Sequence, residues 1–177
     1  MDKKIQIAVI MGSDSDLPAM AECLKIFDKF QIAYSVNVGS AHRTPEHVKK
    51  CVQTAVSSSV KVFIAVAGMS AALPGVVASE TTLPVIGVPM DGKHLAGMDA
   101  LFSVSQMPPF VPVACVSIGK AGAINSAILA IQILALEDKK LAEKLIQYRK
   151  DMADSIIAKD EKLAKAGYVK YIEEMKK

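Results

Sequence analysis

Ser40-Ala41-His42-Arg43-Thr44-Pro45 gathers an imidazole, a guanidinium and two hydroxyls into one short run. An imidazole can move a proton near neutral pH, and a guanidinium can hold an anion through its fixed fork of donors. The run therefore reads as a proton carrier beside an anion clamp. Its plain alternative is a helix start, with Thr44 as the cap and His42 and Arg43 as solvated loop residues. Taken alone, the run leaves both readings open.

The surrounding pattern supplies the context. Ile32-Ala33-Tyr34-Ser35-Val36-Asn37-Val38 reads as a strand that ends just before Ser40, and a helix over about 45–58 follows. Other apolar, β-branched runs predict strands at 5–11, 60–67, 84–89 and 111–118. Between them, helical periodicity runs through Met20, Cys23, Leu24 and Phe27, and helices are expected over about 70–80 and 121–136. Nearly continuous apolar strands alternating with helices imply a parallel sheet covered on both faces. The expected fold is thus α/β: a three-layer, doubly wound, flavodoxin-like sheet, with a core over about 1–136 and extra C-terminal helices over 137–177. These last are amphipathic and charged, and a break is expected near Gly167. The whole is read as a single domain.

In an open α/β sheet, ligands bind beyond the carboxyl ends of the strands. The first strand delivers Met11-Gly12-Ser13-Asp14-Ser15-Asp16 there. Its serines and helix-start amides can hold a phosphate, and Asp16 can bond ribose hydroxyls. An ordinary capped turn is the competing reading, and both the Walker and the dinucleotide glycine patterns are absent. The third strand delivers Ala67-Gly68-Met69-Ser70-Ala71-Ala72-Leu73-Pro74-Gly75. Small residues such as Gly68, Ser70 and Ala71 let a flat ligand approach backbone amides, though tight helix–sheet packing needs the same composition. With His42, His47 and His94 as its histidines, the chain has no close His-His pair and no His-Glu-x-x-His, so no metal site is expected. His47, one turn into a helix, reads as solvated; His94 is ambiguous.

Composition narrows the function classes. Hydrophobic residues make up 51% of the 177, yet no apolar run is long enough for a membrane span. A net charge of +3, 5% aromatics and no Trp argue against nucleic-acid binding. Cys23, Cys51 and Cys115 are odd in number and scattered, which points to a reduced, cytoplasmic setting. The high apolar content leans toward surface buried between subunits.

Taken together, these motifs resemble the PurE family of purine biosynthesis over nearly the whole chain. The matching segments are 11–16, 40–45, Leu73-Pro74-Gly75, 84–89, Gln106-Met107-Pro108 and Ile118-Gly119-Lys120-Ala121-Gly122-Ala123. The resemblance implies a homo-octamer with active sites between subunits. It also implies cofactor-free isomerisation of 5-(carboxyamino)imidazole ribonucleotide to the carbon-carboxylated nucleotide. By the same resemblance His42 is the proton carrier, Ser13, Ser40 and Arg43 hold the phosphate, and Asp16 contacts the ribose. Gly68, Ser70 and Ala71 join them as substrate contacts.

One departure stands out. Where the bacterial mutases typically read Ala-Gly-Gly-Ala-Ala-His-Leu-Pro-Gly, this chain has Met69-Ser70 and places Ala72 at the position of a second His. Ser70 leans toward the family's other branch, which carboxylates aminoimidazole ribonucleotide directly with CO2. Arg43, Thr44-Pro45 and Gln106-Met107-Pro108 favour the mutase, and Phe110 stands where a glycine is common. From another class, a non-catalytic nucleotide-binding module is the remaining alternative.

Overall fold

The computed structural model describes residues 4–175. Five parallel strands form one sheet in the order β2-β1-β3-β4-β5, where β1 is Ile7–Met11, β2 Tyr34–Val38, β3 Val62–Ala67, β4 Val85–Pro89 and β5 Ala114–Cys115. This is the flavodoxin-like order, with its topological switch between β1 and β3. All residues of β1, β3 and β4 are buried, as expected of parallel strands covered on both faces. At the edge, β2 is half-buried to exposed.

Helices lie on both sides of this sheet. On one face Ala8, Ile10, Phe63 and Ala65 join a core with Val48 and Val52 of α2 (Pro45–Val56), Val77 of α3 (Leu73–Ser79) and Val104 of α4 (Met98–Ser105). α1 (Leu17–Phe30) buries Met20, Cys23, Phe27 and Phe30, the stripe its periodicity predicts. It meets α5 (Gly119–Ala135) where Ser126 Oγ lies 3.9 Å from Cys23 Sγ. Small buried residues along α5, among them Gly122, Ala123, Ala127 and Ala130, let that helix lie close to its neighbours.

Two expected elements are shorter in the structure. The fifth strand, expected over 111–118, pairs only at Ala114 and Cys115, with one further bond from Val116 N to Gly87 O. Pro108, Pro109 and Pro112 carry no N–H for the ladder, and Phe110 is fully exposed at φ +75°. The third helix begins at Leu73 rather than near 70. Pro74 suits its first turn, and Met69 at φ +57° keeps the preceding residues out of the helix.

The chain divides into two compact units, Met1–Leu134 and Ala135–Lys177. The second unit contains α6 (Lys139–Ala166) and α7 (Tyr168–Met175). Asp138 caps α6 by accepting from Leu141 N at 3.1 Å, and the expected break falls at Gly167, φ +72°. A Lys162–Glu174 ion pair at 2.6 Å ties α7 back to α6. The helix expected to run through Lys176 and Lys177 ends, for those two, outside the described residues. No helix among the described residues is long and apolar enough to cross a membrane.

Gly122 tests how tightly this frame is closed. A Cβ there would overlap the Ser117 carbonyl and stand 3.2 Å from Val88 Cγ1. Elsewhere in a helix, Gly→Ala stabilises by up to about 1 kcal/mol. Here Gly122→Ala should instead destabilise by about 2–3 kcal/mol, as overpacking against backbone does. Urea unfolding reads the sign directly, and a stabilised variant would refute the close approach.

Candidate active site

The register of the sheet builds the site. Met11 pairs with Val38 of β2 on one side and with Val66 of β3 on the other. Ser13, Ser40 and Gly68 therefore each stand two residues past one row of paired strand ends. With neighbouring strands about 4.8 Å apart, the three loop positions span about 10 Å across the switch point. The ladder continues into the loops, with Gly12 N donating to Val66 O and Gly39 N to Met11 O, both at 2.9 Å. The loops thus leave the sheet from fixed points.

Within the β1 loop, Ser13 is a local hub. Its Oγ accepts from Ser15 N at 3.2 Å and from Ser15 Oγ at 2.8 Å, closing a 3-10 turn over Asp14–Asp16. Asp16 is half-buried at the end of that turn. Burial holds its carboxyl above the ordinary carboxylate pKa, a hydrogen bond from the Ser13 backbone opposes this, and Asp14 and Asp91 push it further up.

The β2 loop has Ser40 at its centre. Ser40 Oγ accepts from Arg43 N at 3.2 Å and from Arg43 Nε at 3.4 Å, which turns the guanidinium back toward the strand end. Thr44 Oγ1 accepts from Ser40 N at 3.0 Å, and Thr44 N donates to Ser40 O at 2.9 Å. Thr44 Oγ1 thus braces its own loop, and no side-chain capping bond to α2 is made. Of the plain helix-cap reading, the place of Thr44 at the N-cap and the exposure of His42 and Arg43 hold, and the side-chain capping bond does not. His42 lies at the exposed turn between Ser40 and Thr44, and it makes no hydrogen bond or ion pair among the described residues.

The β3 loop is more mixed. Gly68 is half-buried, where a Cβ would lie 3.5 Å from Met90 Cβ, and Ser70 is exposed. Ala71 is different: it is only 3% exposed, packs in the core, and donates its N–H to Met69 O at 2.9 Å. Its side chain and its amide are both committed to the fold, so Ser70 and Gly68 carry the open part of this loop.

A further residue converges that the motif reading gave no role. Asp91, just past β4, raises the Asp16 pKa and puts Oδ1 3.2 Å from where a Cβ of Gly119 would be, at the start of α5. The only signal for it in the sequence is its place two residues after the end of a strand. Lys120, next to Gly119, is drawn away to Glu22 at 3.6 Å and forms a surface pair. Among the described residues no group of three metal-ligating side chains comes together.

A flavodoxin-like sheet with serines, a guanidinium and an imidazole at its switch point defines a class: α/β proteins that bind small phosphorylated ligands at the strand ends. Within that class the chain belongs to the AIR carboxylase family, whose family model matches residues 6–155. It is similar to an N5-carboxyaminoimidazole ribonucleotide mutase from Methanocaldococcus jannaschii, at 52% identity over 89% of this chain and 96% of that one. It is also 43% identical to a phosphoribosylaminoimidazole carboxylase from Candida glabrata, covering 97% of this chain and 30% of that protein. Among solved structures, PurE of Treponema denticola superposes with a TM-score of 0.80 at 32% identity, covering 89% of this chain and 98% of the other.

The half-buried acid gives a pH test. A carboxyl held above its ordinary pKa binds its proton more tightly in the native state than in the unfolded chain. Its charge therefore costs stability above the native pKa, and the cost vanishes as pH falls below the unfolded value. Asp16→Asn should raise Tm at pH 7 and lose that gain by about pH 3. Thermal unfolding across that range checks it; a variant no more stable than the parent at pH 7 would contradict the assigned burial cost.

Proposed function

We propose that this chain acts in purine biosynthesis, isomerising 5-(carboxyamino)imidazole ribonucleotide to 5-amino-1-(5-phosphoribosyl)imidazole-4-carboxylate without a cofactor. The observation that carries this reading is the β2 loop, where Ser40 Oγ holds Arg43 and leaves His42 free beside the switch point. The 52% identity to a mutase over 96% of that enzyme supports the same reaction.

In this mechanism Ser13, Ser40 and Arg43 bind the phosphate, and Asp16 takes the ribose hydroxyls. Gly68 and Ser70 border the ring, with Ala71 holding their loop from behind. Remote binding energy then fixes the imidazole ring beside His42. The N–carboxylate bond breaks to release CO2 inside the pocket, and protonated His42 delivers its proton to the ring's amino nitrogen. The enamine-like ring carbon attacks that CO2 to form the new C–C bond. Neutral His42 then removes the proton from the same carbon, which restores aromaticity and returns the imidazolium. One imidazole suffices because the two transfers are sequential and opposite in direction.

Direct carboxylation of aminoimidazole ribonucleotide is the second reading, favoured by Ser70 and by the name of the Candida glabrata relative. Each substrate is supplied separately to purified protein. Turnover with the N-carboxylated nucleotide alone is expected; turnover that requires aminoimidazole ribonucleotide plus CO2 would sink the mutase reading. In the same assay His42→Ala should lower kcat by at least about 10²–10⁴-fold with binding kept. Arg43→Ala should mainly raise KM.

We also propose a cytoplasmic homo-octamer. Solvent-facing Met69, Leu95, Phe102 and Phe110 are apolar surface of the kind subunit contacts bury. Light scattering should give eight times the 18.9 kDa chain mass, and a monomer at micromolar concentration would reject the assembly.

A further inference from the structure

The surface of α2 carries a second arrangement that the proposed reaction does not use. His47 and Cys51, one turn apart on the helix, bring Nε2 and Sγ to 3.6 Å. Zinc–sulfur and zinc–nitrogen bonds of about 2.3 and 2.0–2.1 Å, meeting at a tetrahedral angle, set the two donors about 3.6 Å apart. The pair therefore already has the bite of a tetrahedral chelate. Both rotamers are backed by the fold: Cys51 packs against the core cluster under α2, and His47 Cδ2 lies 3.5 Å from the Cβ position of Gly39. The imidazole side is exposed, so solvent can fill the remaining coordination positions.

The other thiols are not placed this way. Cys23 is fully buried, with burial pushing its pKa up to about 12, and its neighbour is the Ser126 hydroxyl. Cys115 faces the Val116 carbonyl at 3.5 Å. Charge around the pair is mixed. Lys50 adjoins Cys51 on α2, Glu46 precedes His47, and Lys49 is partnered by Glu80 from the end of α3 at 3.8 Å.

We propose that His47 Nε2 and Cys51 Sγ form a two-ligand site for a thiophilic divalent cation of the zinc type, with water completing the tetrahedron. Binding replaces the thiol proton with the metal: Cys–SH and Zn²⁺ give Cys–S–Zn⁺ and H⁺, while neutral His47 donates its Nε2 lone pair. The ion bridges the first two turns of α2, the helix that follows directly from the Ser40–Thr44 loop.

The test is titration of the full chain with Zn²⁺ against a chromophoric chelator, with Co²⁺ as a spectroscopic probe of thiolate ligation. One ion per chain, about one proton released per ion and a thiolate-to-cobalt charge-transfer band are expected. Cys51→Ser and His47→Gln should each weaken binding by about 10²-fold, because the second ligand acts intramolecularly. Cys115→Ser should leave binding unchanged. Zn²⁺ should also protect Cys51 from alkylation in the parent chain but not in His47→Gln, a readout that does not depend on the cysteine variant folding. Binding that survives Cys51→Ser or His47→Gln, binding lost with Cys115→Ser, or no saturable binding below about millimolar Zn²⁺ would overturn the site.

Discussion

The constraint on which the rest depends is the parallel register of β2, β1, β3 and β4. Three of these strands are buried on both faces, so each of their backbone N–H and C=O groups has to find a partner in the ladder. A slip of one residue would turn Ile10 and Phe63 from one core toward the other and mismatch both helical layers. Core packing therefore fixes the register, and the register fixes where each loop begins. That Ser13, Ser40 and Gly68 lie abreast is a consequence of hydrophobic burial well below the site. The site's own residues did not have to arrange it.

The loops built on this edge depart from local stability rules in several places. Asp16 is half-buried near two other acids, and Met69 holds a positive φ without being a glycine. Each such feature costs stability unless the frame over-determines it. Features of this kind gather where a binding site needs shape and charge that a relaxed loop would not give. The ladder bonds from Gly12 and Gly39, together with the Ser40–Thr44 brace, supply the necessary rigidity. Met69 is also among the exposed apolar residues, so strain and apolar exposure meet in the β3 loop.

Most of this was legible because the determinants are local. Apolar runs at 5–11, 60–67 and 84–89 read as buried strands without any knowledge of their partners, and Gly167 marks the helix break. The misjudged places are those where a distant or subtle term decides. Val111 to Val113 look like strand, but prolines remove donors that only a neighbouring ladder reveals as missing. Ala71 looks like part of an open small-residue loop, yet its burial depends on Leu73, Val77 and the sheet beneath. Asp91 has no motif at all; its proximity to Asp16 arises from three strands, β1, β3 and β4, being in register. The His47–Cys51 contact matches no standard metal-ligand motif and follows only from two residues four apart sharing a helix face.

Ala72 sharpens what the β2 loop must accomplish. It stands at the N-cap of α3, φ −71° and ψ −23°, with a side chain that neither caps the helix nor carries a proton. Where the resembling mutases place a second imidazole, this chain offers only a methyl group. Of the other two imidazoles, His47 is turned onto Cys51 and His94 lies in the exposed loop before α4. In the proposed reaction the proton transfers are assigned to His42, which has no protein partner to fix its tautomer among the described residues. On that proposal its orientation would come from the nucleotide, with Ser13, Ser40 and Arg43 as the proposed phosphate anchors at the far end. A site organised in this way ties chemistry to occupancy: without the phosphate anchored, the proton carrier has no defined position from which to act.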